Sequence, residues 1–421
     1  MSVYIRCLAV LTTTLLATAF QARALASGSD LFQFSDLKKL VVDRDLRSVD
    51  SVLPLLPPEM RSNFALMYRS RSLQQGVAEA PRAILFNRDA SLVMSFNNSS
   101  QRGVSRFEIM TFDRDESRFD VKVIQFAGSS APAVVNEAPT NCFGCHGRME
   151  GDLRPVWDPG LIWRGAFGSH DDAFPIARSF IRFAQPELGV AAEAEAYAKF
   201  VNQAPSNSVY RFLDLSRLIG QGDRAVIENR PNLRLGLLLM RQQAMRLARL
   251  LDTPKNAPIL LKRLRLLMGC SGAVVPRDDL RQTVVTNLTR FMHSIYGAEF
   301  TKNFLRSEAP SLIDVVQVAD DAGIDANEIP LTVEKSTSAT FDGSFAFKDL
   351  LIGAMAQRVV SSGAVSGPVS SRISGRTELK FRSLVESPLG LSVTPALANI
   401  DALGEPLAPS SVGSICQMWT Y

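Results

Sequence analysis

Residues 82–126 read RAILF-NRDAS-LVMSF-NNSSQRGVS-RFEIMTF-DRDES-RFDVKVIQF. Four runs in this stretch, Ala83 to Phe86, Leu92 to Phe96, Phe107 to Phe112 and Phe119 to Phe126, are rich in aromatic and aliphatic residues at a period of two. Polar turns at Asn87-Arg88-Asp89, Asn97 to Gly103 and Asp113 to Ser117 separate them. Short runs of β-branched and aromatic residues bounded by turn residues read as strands. The stretch therefore predicts a four-stranded antiparallel meander.

Upstream, from Phe34 to about Gln74, the pattern is helical. Leu37, Leu40 and Val41 share one face, and Pro57-Pro58 followed by Glu59 is a helix start, because proline suits the first turn of a helix. Downstream, a loop rich in Ser, Ala and Pro runs from Gly128 to Thr140 and delivers the chain to Asn141. Beyond about Ala177 the signals are helical again, at Glu193 to Val201, Pro231 to Leu251, Ile259 to Met268 and Asp278 to Tyr296. Ser361 to Ser374 is dominated by Ser, Gly and Val and reads as a Ser/Gly-rich surface loop near 361–374. No internal repeat is present, so a solenoid is not expected. The expected class is α+β: N-terminal helices and an antiparallel β-meander over 27–135, a central segment over 136–177, and a mainly α-helical C-terminal region over 178–421.

A chain of 421 residues at 46% hydrophobic and 21% charged is too long for one small domain and too apolar for a disordered tether. The net charge is +4 over 46 basic and 42 acidic residues, a balance that calls for no nucleic-acid partner. Arg outnumbers Lys 36 to 10, but the arginines are spread along the chain rather than clustered.

The N-terminus carries an address. Arg6 precedes an apolar run from Cys7 to Phe20, and Ala24-Leu25-Ala26 stands ahead of polar Ser27-Gly28-Ser29-Asp30. A basic residue, an apolar stretch and a small-x-small site form the layout of a secretory signal peptide, here residues 1–26. The run is about 14 residues, short of the roughly 20 that span a bilayer. Later apolar stretches such as Leu235 to Met240 are brief and flanked by Arg234 and Arg241. The expectation is a periplasmic or otherwise secreted protein with no integral membrane segment after signal cleavage. Loss of Arg6 and Arg23 with the signal lowers the formal charge from +4 to +2.

Five cysteines and three histidines are few, so an ordered arrangement of them carries information. Cys142-Phe143-Gly144-Cys145-His146 is a Cys-x-x-Cys-His sequence that a shuffled chain of this composition would contain roughly once in three thousand trials. Two thiols three residues apart sit on one side of a helical turn, where they can form thioethers to the two vinyl groups of a haem, with the adjacent imidazole beneath the iron.

On these residues, and over about 141–170 only, the chain resembles the c-type cytochromes. The resemblance implies one covalent haem c held through Cys142 and Cys145, with His146 as the proximal metal ligand. Other readings of the motif are a thiol redox pair, a zinc site with His170 as the nearest further donor, and a structural Cys142–Cys145 disulfide. The first would bring a βαβ setting, and the last leaves His146 unexplained.

Trp157 and Trp163 lie just downstream with Phe143, Leu161, Ile162 and Phe167, and a large flat apolar ligand needs such a wall. Arg148, Arg154 and Arg164 are interleaved with them and suit pairing with haem propionates. The same residues also read as ordinary core aromatics and surface arginines.

A small cytochrome c supplies a Met as sixth ligand some tens of residues after the His, and that Met is missing here. Met149 is too close to reach across the haem plane, and the next methionines are Met240 and Met245. His170 is the nearest imidazole; Met240, Met245, Met268, Met292 and His293 are further candidates, and an open sixth position is another. The expected function is single-electron transfer to an unidentified periplasmic redox partner protein, by a carrier rather than a catalyst. A haem peroxidase or gas sensor with an open iron position, and a periplasmic binding protein with an accessory haem, are the alternatives.

With Cys7 cleaved and Cys142 and Cys145 engaged, Cys270 and Cys416 remain, an even remainder that predicts a disulfide between them in an oxidising compartment. The acidic stretch at Asp320, Asp321, Asp325 and Glu328 lacks EF-hand spacing and reads as a solvated loop. Arg234, Arg241, Arg246 and Arg249 on the 231–251 helix read as a solvated face, or as a docking face for an acidic partner.

Overall fold

Strands form where apolar side chains can be buried on a pleat, and in this chain both sides of the pleat are used. The computed structural model describes residues 31–68, 74, 76–77, 80–97, 103–146, 153, 209–214, 231–252, 263–264, 266–267, 315, 318–319, 322, 324 and 347–361. Among these residues six strands pair consecutively as one antiparallel meander: β1 (Phe64–Met67), β2 (Arg82–Phe86), β3 (Leu92–Phe96), β4 (Arg106–Asp113), β5 (Arg118–Gln125) and β6 (Val134–Asn136). The helices are α1 (Phe34–Asp43), α2 (Val49–Val52), α3 (Pro58–Ser62), α4 (Phe143–His146), α5 (Pro231–Leu251) and α6 (Phe347–Ser361). The architecture is mixed α+β, as the patterning predicts.

The sheet has six strands rather than the expected four, and the two additions are its edges. β1 falls inside the stretch read as helical. Phe64-Ala65-Leu66-Met67 is a four-residue apolar run without alternation, and such a run has no period that separates strand from helix. β6 falls inside the loop read from Gly128 to Thr140 and pairs only Val134, Val135 and Asn136 with Gln125, Ile124 and Val123. The helix start at Pro58 and the apolar face of α1, with Phe34, Leu37 and Val41 buried, follow the sequence. α5 spans Pro231–Leu251 as expected.

Every residue of β2 and β3 is buried, whereas β4 mixes buried and half-buried positions. On one face Ile84, Phe86, Val93, Met110, Phe112, Phe119 and Val121 join α5 and α6 in a single apolar cluster. On the other, Leu85, Met94, Phe96, Phe107, Ile109 and Ile124 join α1, α2, α3 and the turn Val209–Phe212. Phe107 stacks edge-on against Phe96 and Phe126 at 6.0 and 5.3 Å, an arrangement worth about 1 kcal/mol per pair beyond burial.

The turns at one end of the meander are tied to both layers. Asn87, buried in the β2–β3 turn, accepts from the Leu92 amide with Oδ1 and donates from Nδ2 to the Phe32 carbonyl and Ser91 Oγ. Gln242 of α5 donates to the Asp89 carbonyl at 2.9 Å, and Arg114 of the β4–β5 turn pairs with the Asp89 carboxylate. Ser117, in the left-handed region at φ 48°, closes the β4–β5 turn. Its carbonyl accepts from Arg249 at 3.3 Å and its Oγ from Arg358 at 3.1 Å. Gln242 and Arg249 are seven residues apart, two helical turns, so one side of α5 reaches both hairpin tips.

That contact corrects the reading of the α5 arginines. Arg246 is 3% exposed, and Arg249 is half-buried with its guanidinium on the Ser117 carbonyl, so neither stands on a solvated face. No helix among the described residues is long and apolar enough to cross a membrane.

At the opposite end, charge is buried in the sheet itself. Arg82 donates to Gln74 Oε1 at 3.2 Å, Ser95 Oγ at 2.6 Å and Glu108 Oε2 at 3.4 Å, while Arg106 holds Glu108 Oε1 at 2.7 Å. Burial pulls the Arg82 guanidinium down to about 10, Glu108 opposes that shift, and Arg106 adds to it. Gln74 donates in turn to the Gly103 and Arg106 carbonyls. Near it the chain passes so close to β1 that a Cβ on Gly76 would stand 2.0 Å from the Met67 carbonyl oxygen.

Arg82→Ala leaves Glu108 with Arg106 but takes the donor from buried Gln74 Oε1 and Ser95 Oγ, so it is expected to lower the unfolding free energy by about 2–3 kcal/mol in urea titrations. Arg82→Met, which keeps the space filled and Glu108 paired with Arg106, is expected to cost less than Arg82→Ala. Tyr210 gives a second expectation. Its hydroxyl donates to the Pro81 carbonyl at 2.6 Å, and burial raises its pKa above the ordinary 10.0. Tyr210→Phe leaves that carbonyl without its donor, at a cost of about 1–2 kcal/mol. Because the folded state keeps the phenol neutral while the unfolded chain ionises it, the Tyr210 contribution is intact below pH 10 and falls as pH rises beyond it. Unfolding of Tyr210→Phe followed across that range should show a weaker alkaline decline than the parent.

Candidate functional site

The chain approaches the Cys-x-x-Cys-His motif along the outer edge of β5. After β6, Asn136 Oδ1 accepts from the Ala138 amide at 3.0 Å, an Asx turn that bends the chain off the sheet. Glu137 is then held from two layers. Lys38 of α1 donates to its Oε1 at 2.7 Å, and Lys122 of β5 stands 4.0 Å from its Oε2. Lys122 also lies over the Phe34 ring, 5.1 Å from its centroid. The hydrogen bond from Lys38 holds the Glu137 carboxyl below its ordinary value against a small opposing effect of burial, with the charges of Lys38 and Lys122 adding to the lowering. The pair thus contributes above the ordinary carboxyl pKa and is lost as pH falls through the folded value. Lys38 and Glu137 are each 48% exposed, which keeps that contribution within a few tenths to about 1 kcal/mol.

The motif follows directly. A 3₁₀ turn over Thr140–Cys142, closed by the Cys142 amide on the Pro139 carbonyl at 3.0 Å, runs without a break into α4. Residues 142 and 145 are therefore one helical turn apart on the backbone, and His146 is the next residue on the same turn. Cys142 is half-buried, with its Sγ 3.9 Å from Asn141 Oδ1. His146 is likewise half-buried, and both side chains are engaged by neighbouring groups. Cys142 and Phe143 pack against the α5 face of the sheet, in the cluster built by Phe112, Phe119 and Val121.

Seven residues beyond His146 the chain is back on the same edge. The Leu153 amide donates to the Phe119 carbonyl at 3.3 Å in an antiparallel bridge, and Leu153 is 2% exposed. Phe119 in turn meets Phe112 with ring centroids 4.7 Å apart. β6 therefore covers Val123 to Gln125 of the β5 edge, Leu153 covers Phe119, and the motif lies on the chain between them.

The donor set fits a group held by two thioethers and one imidazole. The two cysteine positions share a turn, the histidine adjoins them, and Phe143 turns the same short helix toward apolar surface. Of the other expected site residues, Trp157, Trp163, Arg154, Arg164 and His170 lie outside the described residues, as do Cys270 and Cys416 and the candidates Met149, Met268, Met292 and His293. Met240 is fully buried in the α5 face of the core, and Met245 is partly buried against it, in the same cluster that receives Cys142. Glu137, Lys122 and Leu153 carry no chemical motif, and only the register of the sheet edge brings them to the site. No family model, no curated protein and no solved structure matches this chain.

Proposed function

We propose that the chain is an exported c-type cytochrome that carries one covalent haem c and transfers single electrons to a redox partner protein in the periplasm. The observation that supports it is the Cys142-x-x-Cys145-His146 turn, a single helical turn at the sheet edge with Cys142, Phe143 and His146 half-buried. Bound there, haem supplies a one-electron iron couple.

The residues of the chain do the rest. Cys142 and Cys145 hold the group through their sulfurs, His146 is the proximal ligand, and Phe143 with the Phe112–Phe119 cluster keeps water from one side. Trp157 and Trp163 complete the apolar wall, Arg154 and Arg164 neutralise the propionates, and His170 is the first candidate for the sixth position. The reading also includes a signal peptide over 1–26, a mainly helical C-terminal region over 178–421 and a Cys270–Cys416 disulfide.

The test is made on protein expressed with its leader in cells that possess the haem-attachment machinery. The parent is expected to keep a peroxidase-stainable pigment through a denaturing gel, and the double variant Cys142→Ser with Cys145→Ser to lose it. A parent without pigment overturns the reading. Optical spectra of the reduced protein with carbon monoxide then separate the roles: a low-spin spectrum that CO leaves unchanged is expected of the electron carrier, and rapid CO binding would move the assignment to ligand-binding haem chemistry.

A further inference from the structure

We propose that the β5 edge clasps the Cys-x-x-Cys-His segment at two feet, Glu137 and Leu153, and that these are positioning residues which set the orientation of His146. The inference rests on the haem reading above and assigns residues that the motif does not contain.

The clasp follows from the register of the sheet edge. β6 runs antiparallel to β5 with Asn136 opposite Val123, and the next bridge on that edge places Leu153 opposite Phe119. Val123 and Phe119 are four positions apart, about 13 Å of extended strand. An uninterrupted β6 would cover that distance with four residues. The chain instead spends residues 137–152 before it rejoins the edge, and the whole motif lies in that excursion.

Each foot is held by a different force. At the first, Glu137 is bridged to Lys38 and Lys122, so α1 and β5 both hold it. At the second, Leu153 is buried in the cluster of Phe112 and Phe119, and its amide is spent on the Phe119 carbonyl. Cys142 and Phe143 pack on the same cluster that buries Leu153, so the turn carrying His146 is seated on the sheet between the two feet. Groups that orient a metal ligand without touching the metal tune that metal's affinity and reactivity, with losses of about ten- to a hundred-fold on removal.

The experiment uses the haem-loaded full chain. Leu153→Ala empties the second foot, Leu153→Met refills it with a side chain of similar volume, and Glu137→Gln weakens the exposed first foot without disturbing the core. The readouts are the Soret circular dichroism band, the midpoint potential and the rate of CO binding to the reduced form, which a general loss of stability does not move. Leu153→Ala is expected to change the Soret band, shift the potential and speed CO binding by about tenfold. Leu153→Met is expected to restore parent values, and Glu137→Gln to shift them in the same direction by less, with the difference erased at high salt.

Spectra, potential and CO rate unchanged in both Leu153→Ala and Glu137→Gln would overturn the clasp while leaving the haem reading intact. Should Leu153→Ala fail to fold, unchanged readouts in Glu137→Gln alone would overturn it. A parent protein without haem would overturn both.

Discussion

A sheet whose second and third strands are buried at every position has no side that can face water, and the rest of this molecule follows from that constraint. Ile84, Phe86 and Val93 point one way and Leu85, Met94 and Phe96 the other, so the meander needs a layer on each face. The N-terminal helices α1 to α3 supply one layer. The other comes from α5 and α6, whose residues are more than a hundred positions from the hairpins they cover. Hydrogen bonds then fix the layers in place. Gln242 and Arg249 reach the hairpin tips from α5, Arg358 reaches Ser117 from α6, and Asn87 ties the N-terminal segment to the β2–β3 turn.

The same constraint explains what could be read from the residues and what could not. β4 and β5 interleave polar with apolar residues, and the turns between strands are marked by Asn, Asp and Gly, so the centre of the meander is visible in the primary structure. β1 is invisible because Phe64-Ala65-Leu66-Met67 has no polar partner positions; an edge strand buried on both sides resembles a short piece of core helix. β6 is invisible because three residues cannot establish a period. The arginines of α5 misled for a related reason. Arg246 and Arg249 break the apolar pattern as solvent-facing residues would, but they carry their charge inward, one of them to a hairpin carbonyl.

The candidate site divides in the same way. Cys142, Cys145 and His146 are legible because their chemistry requires a fixed spacing along the chain, and that spacing is met on one helical turn. Glu137 and Leu153 are not, because what joins them is the edge of β5, and a lone bridge between Leu153 and Phe119 leaves no trace in composition or periodicity. Glu137 belongs to an Ala/Pro-rich approach where a single carboxylate has nothing to distinguish it until Lys38 and Lys122 are brought to it by two different layers.

The cover that α5 provides has a temporal side. Synthesis runs from the N-terminus, so all six strands and the Cys-x-x-Cys-His turn are made before the first residue of α5 exists. Until that helix arrives, Phe86, Val93, Phe112 and Phe119 lack the cover that α5 gives them, and uncovered apolar surface is where nascent chains stick to one another. The hairpins are local and quick to pair, whereas the closing layer is remote and slow. Cys142 and Phe143 pack against that same cluster, so the support of the turn is complete only when the closing layer is in place.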